Sequence, residues 1–225
     1  MNLLQCRLRV EFANPMGVSS LAELIHKELT QQDLKVPKIN ETGFNIIFRD
    51  DKMFVHWNPK FADVYVERFD NHQVSLNKLN FVLEQVDKVH AIIKTANIRF
   101  FTCWMIATPK YTFVELEEKY RNTMIKQNNL FESVFDSSVI VETKIDNELV
   151  LHHQSGPMEP KQLMTSYLKF PYNEVPQSFL FLETCVRNSN LLEYSREAML
   201  KFINLSFEHC NKHQELFSKI WEGLL

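Results

Sequence analysis

The chain has 225 residues, a mass of 26.7 kDa and a formal charge of −3, with 45% apolar and 24% charged residues. That balance excludes disorder over most of the length and leaves room for one large domain or two small ones. Its four glycines, Gly17, Gly43, Gly156 and Gly223, lie too far apart for a Walker loop or a dinucleotide turn, and the net charge argues against coating a phosphate backbone.

Leu4 to Phe12 alternates Cys6, Leu8, Val10 and Phe12 with Gln5, Arg7, Arg9 and Glu11, the period of a half-buried strand. Asn14-Pro15 and Gly17 break it. Ser19 or Ser20 then caps a helix to about Leu29, with Leu21, Leu24, Ile25 and Leu29 on one face. The polar stretch from Gln31 to Thr42 reads as a loop. GFNIIF and MFVHW around Asp50-Asp51 predict a hairpin, and Ala62 to Phe69 a further strand. Ser75 opens a long helix to about Lys94, striped by Leu79, Val82, Leu83, Val86, Val89 and Ile93.

From Asn97 the order repeats. NIRFFTCWMIA is a strand, and Thr112 caps a helix to about Lys126. Ser138–Thr143 and Glu148–Gln154 flank an Asp146-Asn147 turn, and Gly156-Pro157 with Pro160 predicts a loop. Thr165–Phe170 and Ser178–Val186 read as strands. Leu192 to Trp221 is a final helix with an inner stripe of Met199, Phe202, Ile203, Ser206, Cys210, His213, Phe217 and Ile220.

The two halves share residues as well as order. A shift of 92 places Arg7 on Arg99, Leu8 on Phe100, Phe12 on Trp104, Ser20 on Thr112, Glu23 on Glu115 and Lys27 on Lys119. A shift of 96 places Met53 on Leu149, Val55 on Leu151 and His56 on His152. The expectation is a tandem α+β duplicate. Residues 1–95 would form one β-α-βββ-α unit and residues 96–225 a β-α-ββββ-α unit, joined in one long antiparallel sheet with two long helices on one face. This arrangement is similar to TATA-binding-protein-like saddles and helix-grip folds, an analogy of fold that carries no function.

No spacing of reactive residues names a reaction, so the expectation is a protein that is not an enzyme and needs no cofactor. Cys6, Cys103, Cys185 and Cys210 form no CxxC pair and read as free, buried thiols. His209 and His213 lie four apart on one helix, a zinc-compatible spacing without an HExxH glutamate, and a packed histidine is the reading preferred over a metal. His152-His153 ends a strand, with His56 as its repeat equivalent. Arg7 and Arg99 fall on polar strand faces, where they could hold an anion or pair with Glu11 and other acids. Phe54 and Phe101 are expected opposite their aromatic neighbours, on an outer face fit for an interface. Base stacking is disfavoured, because residues 1–95 carry 12 basic and 12 acidic side chains and the remainder 13 and 16.

Val10-Glu11-Phe12, Arg99-Phe100-Phe101, the acidic residue in Leu180-Phe181-Leu182-Glu183-Thr184, and His209 followed by Phe217 together resemble an uncharacterised, sporadically distributed bacterial family of small cytosolic proteins. The chain reads Phe-Thr-Cys-Trp where that family carries Gly-Leu-Arg. The resemblance covers nearly the whole chain and implies no particular activity. Its sporadic occurrence suits mobile defence or toxin–antitoxin islands.

The expectation is therefore a non-enzymatic interaction module, binding a protein partner or itself through Arg7, Arg99, Phe54, Phe101, His56 and His152. The alternatives are a small anionic ligand or nucleotide, or nucleic acid on a saddle. No apolar run reaches the length of a signal peptide or membrane span, so a cytoplasmic protein with no membrane association is expected.

Overall fold

Alternation in the sequence becomes strands wherever one side of the chain can be covered. A computed structural model describes residues 2–13, 16–29, 42–49, 52–67, 77, 80, 83–84, 87, 95–107, 109–124, 137–145, 149–170, 177–188 and 195–224. The strands are β1 (Asn2–Phe12), β2 (Phe44–Phe48), β3 (Met53–Asn58), β4 (Phe61–Glu67), β5 (Thr95–Ala107), β6 (Val139–Lys144), β7 (Leu149–Met158) and β8 (Phe179–Asn188). The helices are α1 (Val18–Leu29), α2 (Phe113–Met124) and α3 (Arg196–Ile220). All eight strands form one antiparallel sheet in the order β2-β3-β4-β1-β5-β8-β7-β6, so the protein is α+β. Of the helix predicted over residues 75–94, Asn77, Asn80, Leu83, Glu84 and Asp87 are described and helical, and the rest lies outside the described residues. Arg196, at the start of α3, reaches Glu84 at 3.1 Å and Asp87 at 3.4 Å, which sets these helical residues beside α3. Among the described residues no helix is long and apolar enough to cross a membrane.

The helices cover one face of the sheet. Cys6, Leu8, Val10 and Phe12 from β1 meet Val55 and Trp57, Val64 and Val66, Phe101 and Cys103, and Val186 beneath Leu21, Ile25, Ile203, Phe207 and Cys210. A second cluster joins Met105, Leu180 and Leu182 to Leu116 and Tyr120 of α2 and to Phe217 and Trp221. Each large side chain removed from water here contributes roughly 1.5–3 kcal/mol. All four cysteines are buried thiols, and burial raises the Cys103 pKa well above its ordinary value, so these thiols are packing groups. The stripe foreseen on α3 holds at Met199, Phe202, Ile203, Ser206, Cys210 and Phe217, whereas Ile220 is 41% exposed.

Several local expectations change. Thr112 does cap α2: its N–H and hydroxyl donate to Glu115 at 2.9 Å each, and the Glu115 N–H returns to Thr112 Oγ1 at 3.4 Å. Ser20 has no such role. α1 starts at Val18 and Leu21 N–H already bonds Gly17 C=O at 2.9 Å, so both serines lie inside the first turn. Gly156-Pro157 does not turn but remains in β7, where the missing Cβ lets the chain pass Ser137, whose carbonyl would stand 2.8 Å from an added carbon. Thr165–Phe170 is not a strand. Pro160 begins a helical turn that continues as a π turn over Leu163–Tyr167, with Thr165 Oγ1 bonded to Lys161 C=O at 2.9 Å. This segment lies on the face opposite the helices, where Leu163 and Leu168 pack on Ile106, Met158, Phe179 and Phe181.

Candidate partner-binding face

Away from the helices, β1 presents Gln5, Arg7, Arg9 and Glu11, and β4 presents Phe61, Asp63, Tyr65 and Glu67. The register sets Arg9 opposite Asp63, Arg7 opposite Tyr65 and Gln5 opposite Glu67. Asp63 is 3% exposed. It accepts from Arg7 Nη2 at 2.7 Å, and from Arg9 Nε at 2.6 Å and Nη2 at 2.7 Å. Burial opposes its ionisation, but the Arg9 hydrogen bonds and the Arg7 charge outweigh it and hold its pKa below the ordinary value. The hydrogen bond to Asp63 likewise raises the Arg9 pKa, against the effect of burial. The guanidiniums also lie over rings: Arg7 is 5.0 Å from both Tyr65 and Phe100, and Arg9 is 4.0 Å from Phe61 and 5.2 Å from Phe100.

A third cation comes from the segment after β7. Lys169 Nζ stands 4.9 Å from the Tyr65 ring and 5.7 Å from Phe54. Its backbone is held by the fully buried Glu67, which accepts from Lys169 N–H at 2.6 Å, Phe170 N–H at 3.2 Å and the Gln5 amide at 2.6 Å. The Gln5 amide also donates to Tyr167 C=O at 3.1 Å, and Tyr167 meets Trp104 edge-on at 4.8 Å. Among the described residues, Gln5 Oε1, Arg7 Nε and Trp104 Nε1 on this strip are buried without a hydrogen-bond partner. Unmatched groups of this kind cost stability.

His56 belongs to this site. Its Nδ1 pairs with Asn45 Oδ1 at 2.7 Å, and burial, with the charges of Arg9, Lys169 and Arg7, lowers its pKa. Phe54 is half-buried on the same face and meets Tyr65 edge-on at 5.7 Å. Arg99 does not join Arg7. The pairing jumps from Arg9–Phe100 to Val10–Ile98, so Arg99 is the extra residue of a bulge, and its partner is Glu11 at 3.9 Å. Phe101 faces the opposite way to expectation: it is fully buried under α3, with its ring 4.8 Å from Phe207. The outward aromatics of β5 are Phe100 and Trp104. His152 lies across the sheet, bonded to Glu142 at 3.0 Å, and Arg187 shares that carboxylate at 3.0 Å.

His209 and His213 are half-buried on α3. His213 lies tilted against His153 with ring centroids 3.9 Å apart, and Thr184 Oγ1 reaches His153 Nδ1 at 3.3 Å. Among the described residues no three His, Cys, Asp or Glu side chains gather as a metal site. Asp63, Lys169, Phe61, Tyr65 and Phe100 were not foreseen as site residues. The alternation Phe61, Asp63, Tyr65, Glu67 against Ala62, Val64, Val66 was the signal available for four of the outward groups.

Electrostatically, Arg7 and Arg9 are held by Asp63, Glu67 is buried and Glu11 half-buried, and Lys169 is the exposed cation of the strip, above an aromatic floor. Such a surface can bind a carboxylate or phosphate group. Against known proteins, the chain matches no family model and no curated relative.

Proposed function

We propose that the protein is a non-enzymatic interaction module whose sheet face opposite α1, α2 and α3 binds an acidic segment of a protein partner. The observation that carries this reading is the pair of Arg7 and Arg9 fixed on the buried carboxylate of Asp63, with the exposed Lys169 beside them over the Tyr65 ring. Both arginines are already oriented by Asp63, so little side-chain entropy is lost when an anion docks. Phe54, Phe61, Tyr65 and Phe100 supply rigid apolar contact beside the charges. Fluorescence anisotropy of a labelled glutamate-rich peptide tests it, with a lysine-rich peptide and a single-stranded oligonucleotide as comparisons. The expected result is binding of the acidic peptide alone, weakened by salt and reduced roughly fivefold in Lys169→Ala. Equal binding of both peptides would refute the reading, and preference for the oligonucleotide would replace it with nucleic-acid binding.

We further propose that residues 1–95 and 96–225 are copies of one folding unit. In support, the strand order reads alike outward from the central β1–β5 pair. His56 and His152 are both half-buried, and each bonds through Nδ1 to a side chain of the neighbouring edge strand. Met53 and Leu149, and Val55 and Leu151, are buried pairs at the same shift of 96. The shift of 92 is not kept through the first strands: Leu8 faces the helices while Phe100 faces outward, because the bulge at Arg99 changes the side on which later residues emerge.

A further inference from the structure

β6 forms one edge of the sheet and, among the described residues, pairs with β7 alone. Residues 140–144 are exposed on both faces, with Ile140 at 57% and Val141 at 44%. Proteins blunt free edges with charged side chains, proline, bulges or coverage, and on β6 the charges are Glu142 and Lys144. β6 has no proline, and its register with β7 runs without a break from Val139–Ser155 to Lys144–Val150. The opposite edge differs: β2 buries Phe44 and Ile46 under the helices.

The direction of the backbone on the free side follows from one bond. Ile145 N–H donates to Leu149 C=O at 2.9 Å, so Ile145 points its amide toward β7. Backbone groups alternate along a strand, so those of Thr143 and Val141 also point inward, and those of Ile140, Glu142 and Lys144 point outward. Glu142 and Lys144 thus combine outward backbone groups, unpaired among the described residues, with opposite charges two residues apart on one face.

We propose that β6 pairs antiparallel with β6 of a second copy, about a two-fold axis through Thr143. In that register Thr143 faces Thr143 of the other copy. Glu142 of each copy faces Lys144 of the other as a hydrogen-bonded pair, giving four backbone hydrogen bonds and two cross-strand ion pairs. Directly opposed unlike charges stabilise such a pair, whereas an axis through Val141 would set each Glu142 opposite Ile140. The interface is isologous, as closed dimers require, and continues the sheet without turning over its faces. It uses the edge and none of the groups around Asp63, so it stands apart from the acidic-segment reading.

Sedimentation equilibrium of the full chain tests the proposal. The expected result is a concentration-dependent dimer. Lys144→Glu, which leaves the Glu142–His152 contact untouched, raises the dissociation constant roughly tenfold or more. The double exchange Glu142→Lys with Lys144→Glu restores dimerisation, because the opposed charges are again unlike. Glu142→Pro removes an outward N–H and abolishes the dimer. Should that variant unfold, amide exchange decides instead: Glu142 and Lys144 amides gain protection as the wild-type dimer forms. A monomer at every concentration, a dimer that Lys144→Glu leaves unchanged, a double exchange that restores nothing, or unprotected amides at both positions would each overturn it.

Discussion

Acid should loosen this protein through His153. The imidazole is 4% exposed between β7 and α3, and among the described residues its Nε2 has no hydrogen-bond partner. The groups facing it are His213, His209, its neighbour His152, and Thr184. Burial lowers its pKa most, the histidine charges lower it further, and it falls from 6.5 to about 4. The native state therefore holds it neutral while the unfolded chain protonates it near 6.5. Stability from this group is fully present above pH 6.5 and is lost as pH falls toward 4. The gap corresponds to about 3 kcal/mol in total, of which about 2 kcal/mol is gone by pH 5. Asp63 ionises below its ordinary 3.8, so its own contribution stays constant between pH 7 and pH 5. Urea denaturation at pH 7 and pH 5 measures the loss. His153→Gln cannot take up the proton, so its loss should be smaller by about 2 kcal/mol. Equal losses in the two proteins would refute the assignment.

Other perturbations follow from single contacts. Asp63→Ala leaves two half-buried guanidiniums without their carboxylate, and urea denaturation should show a loss of about 2–3 kcal/mol. Glu67→Gln weakens the hold on the segment after β7, so the Lys169 and Phe170 amides should exchange with solvent markedly faster by mass spectrometry. Thr112→Ala removes the cap of α2 and should cost about 1 kcal/mol, with the thermal midpoint lowered accordingly.

Much of this architecture was legible because one side of each strand is apolar. From Gln5 to Phe12 β1 alternates as the sequence does, and its outward residues there could be named from the sequence. β5 could not be read so, because Phe100, Phe101, Trp104 and Met105 place apolar side chains on both faces. Nothing in that run signals the bulge at Arg99, which only the pairing with β1 reveals. The error at Phe101 and the separation of Arg99 from Arg7 share this one cause. Thr165–Phe170 misled because a short apolar run suits a strand or a turn of helix equally. Its placement depends on Glu67, 102 residues before Lys169 in the chain. Asp63 escaped notice for a similar reason: a lone aspartate in a strand looks solvated until its neighbours turn out to be two arginines.

The central position of β1 has a consequence for synthesis. When the first half leaves the ribosome, β1 can pair with β4, yet its other edge has no partner until β5 follows about ninety residues after it. A nascent chain halted before that point therefore displays a long open seam, with backbone groups ready to recruit a strand from another molecule. Truncation within residues 68–94 should accordingly yield aggregates rather than a soluble half-protein.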